Sequence, residues 1–238
     1  MRSIAIEAPK PDLVPVYVWD LPVRLTHWLL ASSIAVLAVT GFYLGHPFIT
    51  APGQASQHFI MGTVRLVHFY AAIVFSLSEL TRIAWMFMGN RYSRWDQFVP
   101  VNKERRQDIV AWLKFYFFFR STTPSFVGHN PLAGLSYLLV YACCLVSALT
   151  GYTLFSISAG PESPMRFFSI LLPVFGGAQT ARWIHHFLMW PLMWFIVHHL
   201  YCGVLVARSS RNGTIDSMFT GFRFVSKHLI TPQSADTD

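Results

Sequence analysis

Four long apolar stretches divide the chain, at about 22–44, 62–88, 131–157 and 178–207. Each exceeds the roughly 20 apolar residues that an α-helix needs to cross the hydrocarbon core of a bilayer. Glycine and proline interrupt the apolar pattern between the stretches, as in Gly45-His46-Pro47. We therefore predict an all-α fold, an integral membrane bundle of four transmembrane helices in a single domain of residues 1–238.

The connecting segments differ in their content of lysine and arginine. Residues 91–120 carry seven such side chains and residues 208–238 carry four, whereas 45–61 carry none and 158–177 carry one. Cytoplasmic loops are the ones enriched in lysine and arginine. We therefore predict that both termini, the 91–129 loop and the 208–238 tail are cytoplasmic. Helices one and three then run outward, and helices two and four run inward.

The 91–129 loop contains a strongly aromatic segment at 112–119, flanked by Lys114 and Arg120. Aromatic residues next to cationic ones are typical of a helix that lies in the headgroup region of a membrane. We predict an interfacial helix at this segment.

The composition excludes several classes of protein. The chain is 53% hydrophobic and 12% charged, against about a quarter charged in a typical soluble domain. Its net charge of +7 is not gathered into a basic run, so nucleic acid is not a predicted partner. The sequence has no Cys-x-x-Cys-His motif for covalent haem and no dinucleotide fingerprint, so catalysis by the chain alone is not predicted.

Histidine is the unusual residue, with ten copies against eleven acidic side chains. Ionisable side chains inside transmembrane helices usually face the bundle interior and mark function. A single histidine could equally bond a neighbouring helix in a structural role. The apolar stretches contain His27, His68, His185, His186, His198 and His199. The other four are predicted to be surface residues in loops or the tail: His46, His58, His129 and His228.

Helical geometry separates the histidines of the fourth stretch. His185 and His199 are 14 positions apart. At about 100° and 1.5 Å per residue they lie within roughly 40° of one face and about 21 Å apart along the axis. His186 and His198 point away from that face. One face of the helix thus carries an imidazole near each side of the membrane.

The helix directions then supply partners at both depths. His68, near the start of the inward helix two, is level with His185, and His27, near the start of the outward helix one, is level with His199. Facing histidine pairs at two depths are the ligand pattern of two bis-histidine haems in a helical bundle. We predict that His68 and His185 bind an outer haem iron, and that His27 and His199 bind an inner one.

Three arginines accompany these histidines. Arg24, Arg65 and Arg182 each stand three residues before a predicted ligand, on its face and one turn nearer the surface. Haem propionates need cationic partners, and arginine supplies charge-assisted hydrogen bonds. We predict that the three arginines bind propionates. They also fit a simpler role as anchors at the helix ends, and the pattern alone leaves that alternative open.

Glu79 lies in the inner half of the second apolar stretch, with Arg82 three residues later. A buried carboxylate is costly unless it is paired, and this spacing suits an ion pair. A structural ion pair and a proton-handling role beside a cytoplasmic-side quinone fit these residues equally well.

These motifs resemble one family, the b-type cytochrome subunit of membrane-bound nickel-iron hydrogenases. Its first signature resembles the run from Arg24-Leu-Thr-His27-Trp28 to Thr40-Gly41, and its second is similar to Arg182-Trp-Ile-His185-His186 through His199. Two loop motifs also match, Gly89-Asn90-Arg91-Tyr92-Ser93 and Gly128-His129-Asn130-Pro131. The resemblance extends from about residue 16 to the tail. It departs at Trp183 and Phe187, which replace a small and an aliphatic residue of the second signature.

The resemblance implies a function. The chain would be a cytochrome with two haem b groups that anchors a hydrogenase to the periplasmic face of a bacterial inner membrane. Electrons from hydrogen would come from the iron–sulfur small subunit of a partner pair whose large subunit holds nickel and iron. They would pass through the outer and inner haems to a quinone. Membrane lipid is a further expected partner, and a higher oligomer of the complex is left open.

Other functions remain open from the residues alone. The cytochrome b subunits of formate dehydrogenase share the same plan, so the electron donor rests on the resemblance. A transporter that moves protons through a histidine relay would show pH-dependent flux without haem, but the sequence shows no inverted repeat or broken helices. A purely structural anchor would keep quinone-linked activity after loss of both haems.

Overall fold

The computed structural model describes residues 13–49, 54, 58–101, 103–124 and 126–227. Among these residues, four helices are long and apolar enough to cross a membrane. They are α1 (Leu21–Gly45), α2 (Ile60–Met88), α4 (Pro131–Ser158) and α5 (Ala178–Ser210), with α3 (Lys103–Tyr116) and α6 (Ser217–Thr220) outside the bundle. Short 3-10 helices lie at Trp95–Gln97 and Pro164–Leu171. The predicted four-helix membrane bundle is confirmed.

Two helix pairs make up the bundle. α1 packs along α2, α4 packs along α5, and α2 contacts α4. Between α2 and α4, the rings of Phe69 and Phe155 stack with centroids 4.3 Å apart. Nearby, the hydroxyls of Ser76 and Tyr152 lie 2.9 Å apart. α5 continues to Ser210 although Pro191 lies inside it, where the missing N–H removes one helical hydrogen bond.

A small antiparallel sheet joins the two ends of the described chain. β1 (Leu13–Tyr17) pairs with β2 (Phe222–Ser226) in the register that sets Val14 opposite Val225. The prediction of a purely helical chain with a polar tail did not include this sheet, because strands of five residues give little periodic signal. The sheet lies where α1 begins and α5 ends. We call this the terminal side of the bundle.

A network centred on Asp20 connects the helix ends on the terminal side. The Asp20 carboxylate accepts hydrogen bonds from Trp85 Nε1 at 3.1 Å, from the Asn90 backbone N–H at 3.0 Å and from Asn90 Nδ2 at 2.9 Å. Gly89 allows this turn to close, since a Cβ there would lie 2.4 Å from Ser93 Oγ. The motif that begins at Gly89 therefore fastens the end of α2 to the start of α1.

The 91–129 loop contains a helix, α3, whose limits differ from those of the predicted interfacial segment. α3 begins before the aromatic segment and ends at Tyr116. Trp112, only 1% exposed, and Phe115 pack against Val206 of α5, while the following phenylalanines 117–119 are exposed. These two aromatic side chains therefore attach α3 to the bundle.

Candidate functional site

The four predicted histidines meet in the two predicted pairs. His68 of α2 faces His185 of α5 with ring centroids 6.4 Å apart and planes at 71°. His27 of α1 faces His199 of α5 with centroids 6.2 Å apart and planes at 52°. The His27–His199 pair lies toward the terminal side, and the His68–His185 pair lies toward the opposite side. We refer to them as the terminal pair and the distal pair.

Both separations suit two imidazoles that bind one metal ion from opposite sides. A metal–imidazole bond is about 2 Å long and the ring centre lies about 1 Å beyond the nitrogen, so two axial imidazoles have centroids about 6 Å apart. Edge-to-face aromatic pairs reach the same distance. The hydrogen bonds of the ring nitrogens therefore decide whether a metal-binding nitrogen is free.

His68 has its Nδ1 fixed by Thr40 of α1. Thr40 Oγ1 lies 2.7 Å from His68 Nδ1 and also 2.7 Å from the carbonyl oxygen of Val36. The threonine donates its one hydroxyl hydrogen to that carbonyl, so its oxygen accepts the hydrogen of Nδ1. This arrangement leaves the Nε2 lone pair of His68 free to bind a metal.

His185 is held in the same way by α4. Its Nδ1 lies 2.9 Å from the carbonyl oxygen of Ser147 and 3.2 Å from Thr150 Oγ1. A carbonyl can only accept, so Nδ1 carries the hydrogen and Nε2 is free. Gly151 makes room for the ring, because a Cβ there would lie 3.0 Å from His185 Cε1.

The histidines of the terminal pair have fewer and longer hydrogen bonds at Nδ1. His199 Nδ1 lies 3.5 Å from the hydroxyl oxygen of Tyr137, at the limit of a hydrogen bond. His27 Nδ1 is buried and has no hydrogen-bond partner among the described residues. The two pairs therefore differ in the hydrogen bonds that surround them, although their ring separations are similar.

Comparison with known proteins identifies the family. The profile of the prokaryotic cytochrome b561 family matches residues 18–221. The chain belongs to this family. The resemblance stated from its motifs is thereby confirmed, and the chain is a multi-pass membrane protein.

The curated relatives of this cytochrome cover nearly its whole length. It is 36% identical over 210 residues to the probable Ni/Fe-hydrogenase B-type cytochrome subunit of Cupriavidus necator, which covers 87% of this chain and 86% of the relative. The protein of the same name from Azotobacter vinelandii is 36% identical over 211 residues, which cover 87% of this chain and 88% of the relative. The probable Ni/Fe-hydrogenase 1 B-type cytochrome subunit of Escherichia coli strain K12 is 33% identical over 223 residues, covering 92% and 94%.

A b-type cytochrome carries haem b, and the residues present fit that group. Among the described residues, no cluster of three or more His, Cys, Asp or Glu side chains could hold a bare metal ion. Each histidine pair supplies two imidazoles, which would suit an iron whose other ligands come from the porphyrin of haem.

The predicted propionate arginines lie near the helix ends. Arg65 and Arg182 are exposed, and Arg182 Nη1 donates to Gln179 Oε1 at 2.6 Å. Arg24 Nη1 donates to the carbonyl oxygen of Phe219, which ties α1 to α6. The Nε of Arg24 is buried without a hydrogen-bond partner among the described residues.

The expected ion pair of Glu79 and Arg82 does not form. Both side chains are buried, at 1% and 3% exposure, yet no ion pair joins them within the described part of the chain. Arg82 instead lies over the ring of Phe98, 5.1 Å from its centroid. The structural ion-pair interpretation was wrong because helix spacing brings two side chains to one face without fixing which way they turn.

His129 was expected at the surface, and this expectation was also wrong. Its ring packs against Trp19, Phe98 and Tyr137 at centroid distances of 4.6, 4.8 and 5.4 Å. Burial, together with the positive charge of nearby Arg82, lowers the pKa of His129 to about 3, so the ring is neutral at neutral pH. The sequence contained one indication that His129 packs inside the fold, namely the match of its loop to a family motif.

The remaining histidines have other surroundings. His46, His58, His186 and His198 are exposed. His198 stacks on Trp194 with centroids 5.2 Å apart, and its Nε2 lies 3.4 Å from Cys202 Sγ. His228 lies outside the described residues.

Proposed function

We propose that this chain is a dihaem b-type cytochrome that anchors a periplasmic nickel-iron hydrogenase and carries electrons from hydrogen oxidation across the bacterial inner membrane to a quinone. The observation that carries the proposal is the pair of facing imidazoles at each of two depths. The names of the relatives support a hydrogenase as the donor, in preference to a formate dehydrogenase.

Each histidine has a defined role in this proposal. His68 and His185 hold the outer haem iron, and His27 and His199 hold the inner one. Haem b, when bound, supplies an iron that takes up and releases one electron at a time. Thr40 and the Ser147 carbonyl orient the two outer rings so that each presents Nε2 to the metal.

α5 is the scaffold that sets the distance between the two sites. It supplies one ligand to each pair, from positions 14 residues apart in a continuous helix. At 1.5 Å per residue this is about 21 Å along the axis, which covers much of the roughly 30 Å hydrocarbon core. The two sites therefore lie near opposite faces of the membrane.

The arginines serve the propionates in this proposal. Arg65 and Arg182 stand one turn nearer the outer surface than their histidines, and Arg24 stands one turn nearer the inner surface than His27. Guanidinium groups can bind carboxylates in a bidentate manner. Arg24 keeps donors for this purpose, since its bond to Phe219 uses only Nη1.

The surplus of lysine and arginine in the 91–129 loop and the tail supports a cytoplasmic location for the terminal side. The hydrogenase small and large subunits then dock at the distal, periplasmic side, and the quinone is reduced on the cytoplasmic side. Reduction of a quinone to a quinol takes two electrons and two protons. The protons would come from the cytoplasm.

The experiment compares two adjacent histidines in the membrane-bound complex with its hydrogenase. His199→Ala should abolish hydrogen-dependent quinone reduction but leave reduction of an artificial dye by the hydrogenase itself. His198→Ala is the matched control and should retain both activities, because its ring stacks on Trp194 away from the pair. Quinone reduction that survives His199→Ala, or fails only in His198→Ala, would contradict the assignment.

A further inference from the structure

The two histidine pairs differ in how strongly their Nδ1 hydrogens are bound. At the distal pair, both Nδ1 atoms have close acceptors: Thr40 Oγ1 at 2.7 Å and the Ser147 carbonyl oxygen at 2.9 Å. At the terminal pair, the one acceptor is Tyr137 at 3.5 Å, and His27 Nδ1 has none among the described residues. The distal rings are therefore the stronger electron donors through Nε2, because a hydrogen bond from Nδ1–H makes an imidazole more basic.

A repeated sequence element builds the distal arrangement. α1 carries Thr40-Gly41 and α4 carries Thr150-Gly151, each followed by an aromatic residue. In both cases the threonine hydroxyl lies within hydrogen-bond distance of Nδ1 in a histidine from the next transmembrane helix. The glycine lies beside the Cε1 of the same ring. A Cβ at Gly41 would lie 3.5 Å from His68 Cε1, and one at Gly151 would lie 3.0 Å from His185 Cε1.

The threonines are held in the accepting state by their own helices. Thr40 Oγ1 donates to Val36 O at 2.7 Å, and Thr150 Oγ1 donates to Val146 O at 2.8 Å. A hydroxyl has a single hydrogen, so an oxygen that donates to its own helix carbonyl can only accept from the ring. The polarity of both contacts is thereby fixed, with the imidazole as donor.

The terminal pair lies close to a buried cation instead. Arg82 is 14 residues beyond His68, the same interval that separates His199 from His185, so it stands at the depth of the terminal pair. Its guanidinium is 3% exposed, and its Nη1 has no hydrogen-bond partner in the described structure. A nearby positive charge disfavours the oxidised, more positive iron.

We propose that the Thr-Gly elements make the haem of the distal pair the lower-potential haem, so that electrons entering there pass energetically downhill to the haem of the terminal pair. Thr40 and Thr150 are positioning residues in this scheme, since they act through the histidines. The inference rests on the proposed function, because it requires haem at both pairs. Stronger electron donation by the distal imidazoles stabilises ferric iron and lowers its reduction potential.

The test is a spectroscopic redox titration of the purified full-length chain with its haems. We expect two components, and Thr40→Val should raise only the lower-potential one. The expected size is about a tenfold change in the reduction equilibrium, or about 59 mV for a one-electron couple. Thr150→Val should shift the same component less, because His185 keeps the Ser147 carbonyl as its acceptor.

The matched control is Thr81→Val. Thr81 Oγ1 makes the same back-bond, to Leu77 O at 2.7 Å, on an exposed face of α2, so its removal should leave both potentials unchanged. Electron paramagnetic resonance of the ferric haems assigns the sites independently, since Thr40→Val should alter one low-spin signal and spare the other.

A shift of the higher-potential component, or of neither, would overturn the inference while leaving the dihaem function standing. A chain that binds no haem would instead overturn the proposed function. The two failures are therefore distinguishable in the same preparation.

Discussion

At the scale of single residues, the site depends on which ring nitrogen of each histidine is occupied. Thr40, Ser147 and Thr150 accept the Nδ1 hydrogens of the distal pair, which leaves each Nε2 free for the proposed iron. Metal-binding histidines commonly have such a partner, and its loss typically costs 10–100-fold in affinity or activity. The residues beside the ligands therefore matter nearly as much as the ligands.

Gly151→Ala should reduce haem occupancy of the distal pair. The added Cβ would lie 3.0 Å from His185 Cε1, and the ring cannot retreat without losing its bond to Ser147. Overpacking of this kind typically costs about 1–3 kcal/mol. The haem-to-protein absorbance ratio of the purified variant measures the effect.

Gly203→Ala on α5 is the control, because a Cβ there has no neighbour within 4 Å. Equal haem content in the two variants would show that Gly151 does not shape the distal site.

Residue-level prediction from sequence succeeded where one helix carries the information. His185 and His199 share a continuous helix, so arithmetic on α5 placed both on one face. The sequence assigned no role to Thr150, and it named Thr40 only as part of a family signature. Their roles depend on the register between neighbouring helices, which periodicity within one helix does not define. His129 and the Glu79–Arg82 pair were misjudged for a related reason, since the direction of each side chain is set by the packing of other elements.

At the scale of elements, the limits of the long helices follow from apolar length, but their connections do not. α4 begins where Asn130 accepts a hydrogen bond from the Ala133 N–H, with proline in the first turn, a start signal readable from the sequence. The pairing of β1 with β2 was not readable, since the strands are more than 200 residues apart. The sequence likewise did not indicate that the turn at Asn90 binds the start of α1.

Asn90→Ala should lower the stability of the protein by weakening the contacts on the terminal side. The amide donates to Asp20 Oδ1 at 2.9 Å and to Val18 O at 3.0 Å, and its oxygen accepts from the Tyr92 N–H at 2.9 Å. Loss of these bonds should cost about 2–3 kcal/mol. Thermal unfolding in detergent, followed by tryptophan fluorescence, measures the change.

Arg91→Ala is the control for this loop, since among the described residues the exposed Arg91 side chain bonds only its neighbour Tyr92. If Asn90→Ala unfolded at the same temperature as Arg91→Ala, the turn would not be a fastening point.

At the scale of the whole molecule, the segment that follows α5 packs against the start of α1. Trp28 Nε1 donates to Met218 O at 3.1 Å, Trp28 stacks near Phe219 with centroids 4.7 Å apart, and Arg24 bonds the Phe219 carbonyl. Trp28 in turn contacts His27, with centroids 5.1 Å apart. The segment after α5 therefore supports the terminal pair, and its described residues make no hydrogen bond or ring contact with the distal pair.

Truncation after Arg211 removes α6 and β2 and should lower haem retention at the terminal pair more than at the distal pair. Truncation after Lys227 keeps both elements and serves as the control. Low-temperature absorption and electron paramagnetic resonance of the ferric protein separate the two haem signals. Equal loss of both signals in the shorter chain would contradict a local role for this segment.

The central claim is that two histidine pairs hold two haems, and a haem count by the pyridine haemochrome method tests it most directly. The account predicts about two haem b groups per purified chain, about one in His68→Ala and in His199→Ala, and about two in the controls His186→Ala and His198→Ala. A colourless chain, or a control variant that loses a haem while its neighbour does not, would contradict it.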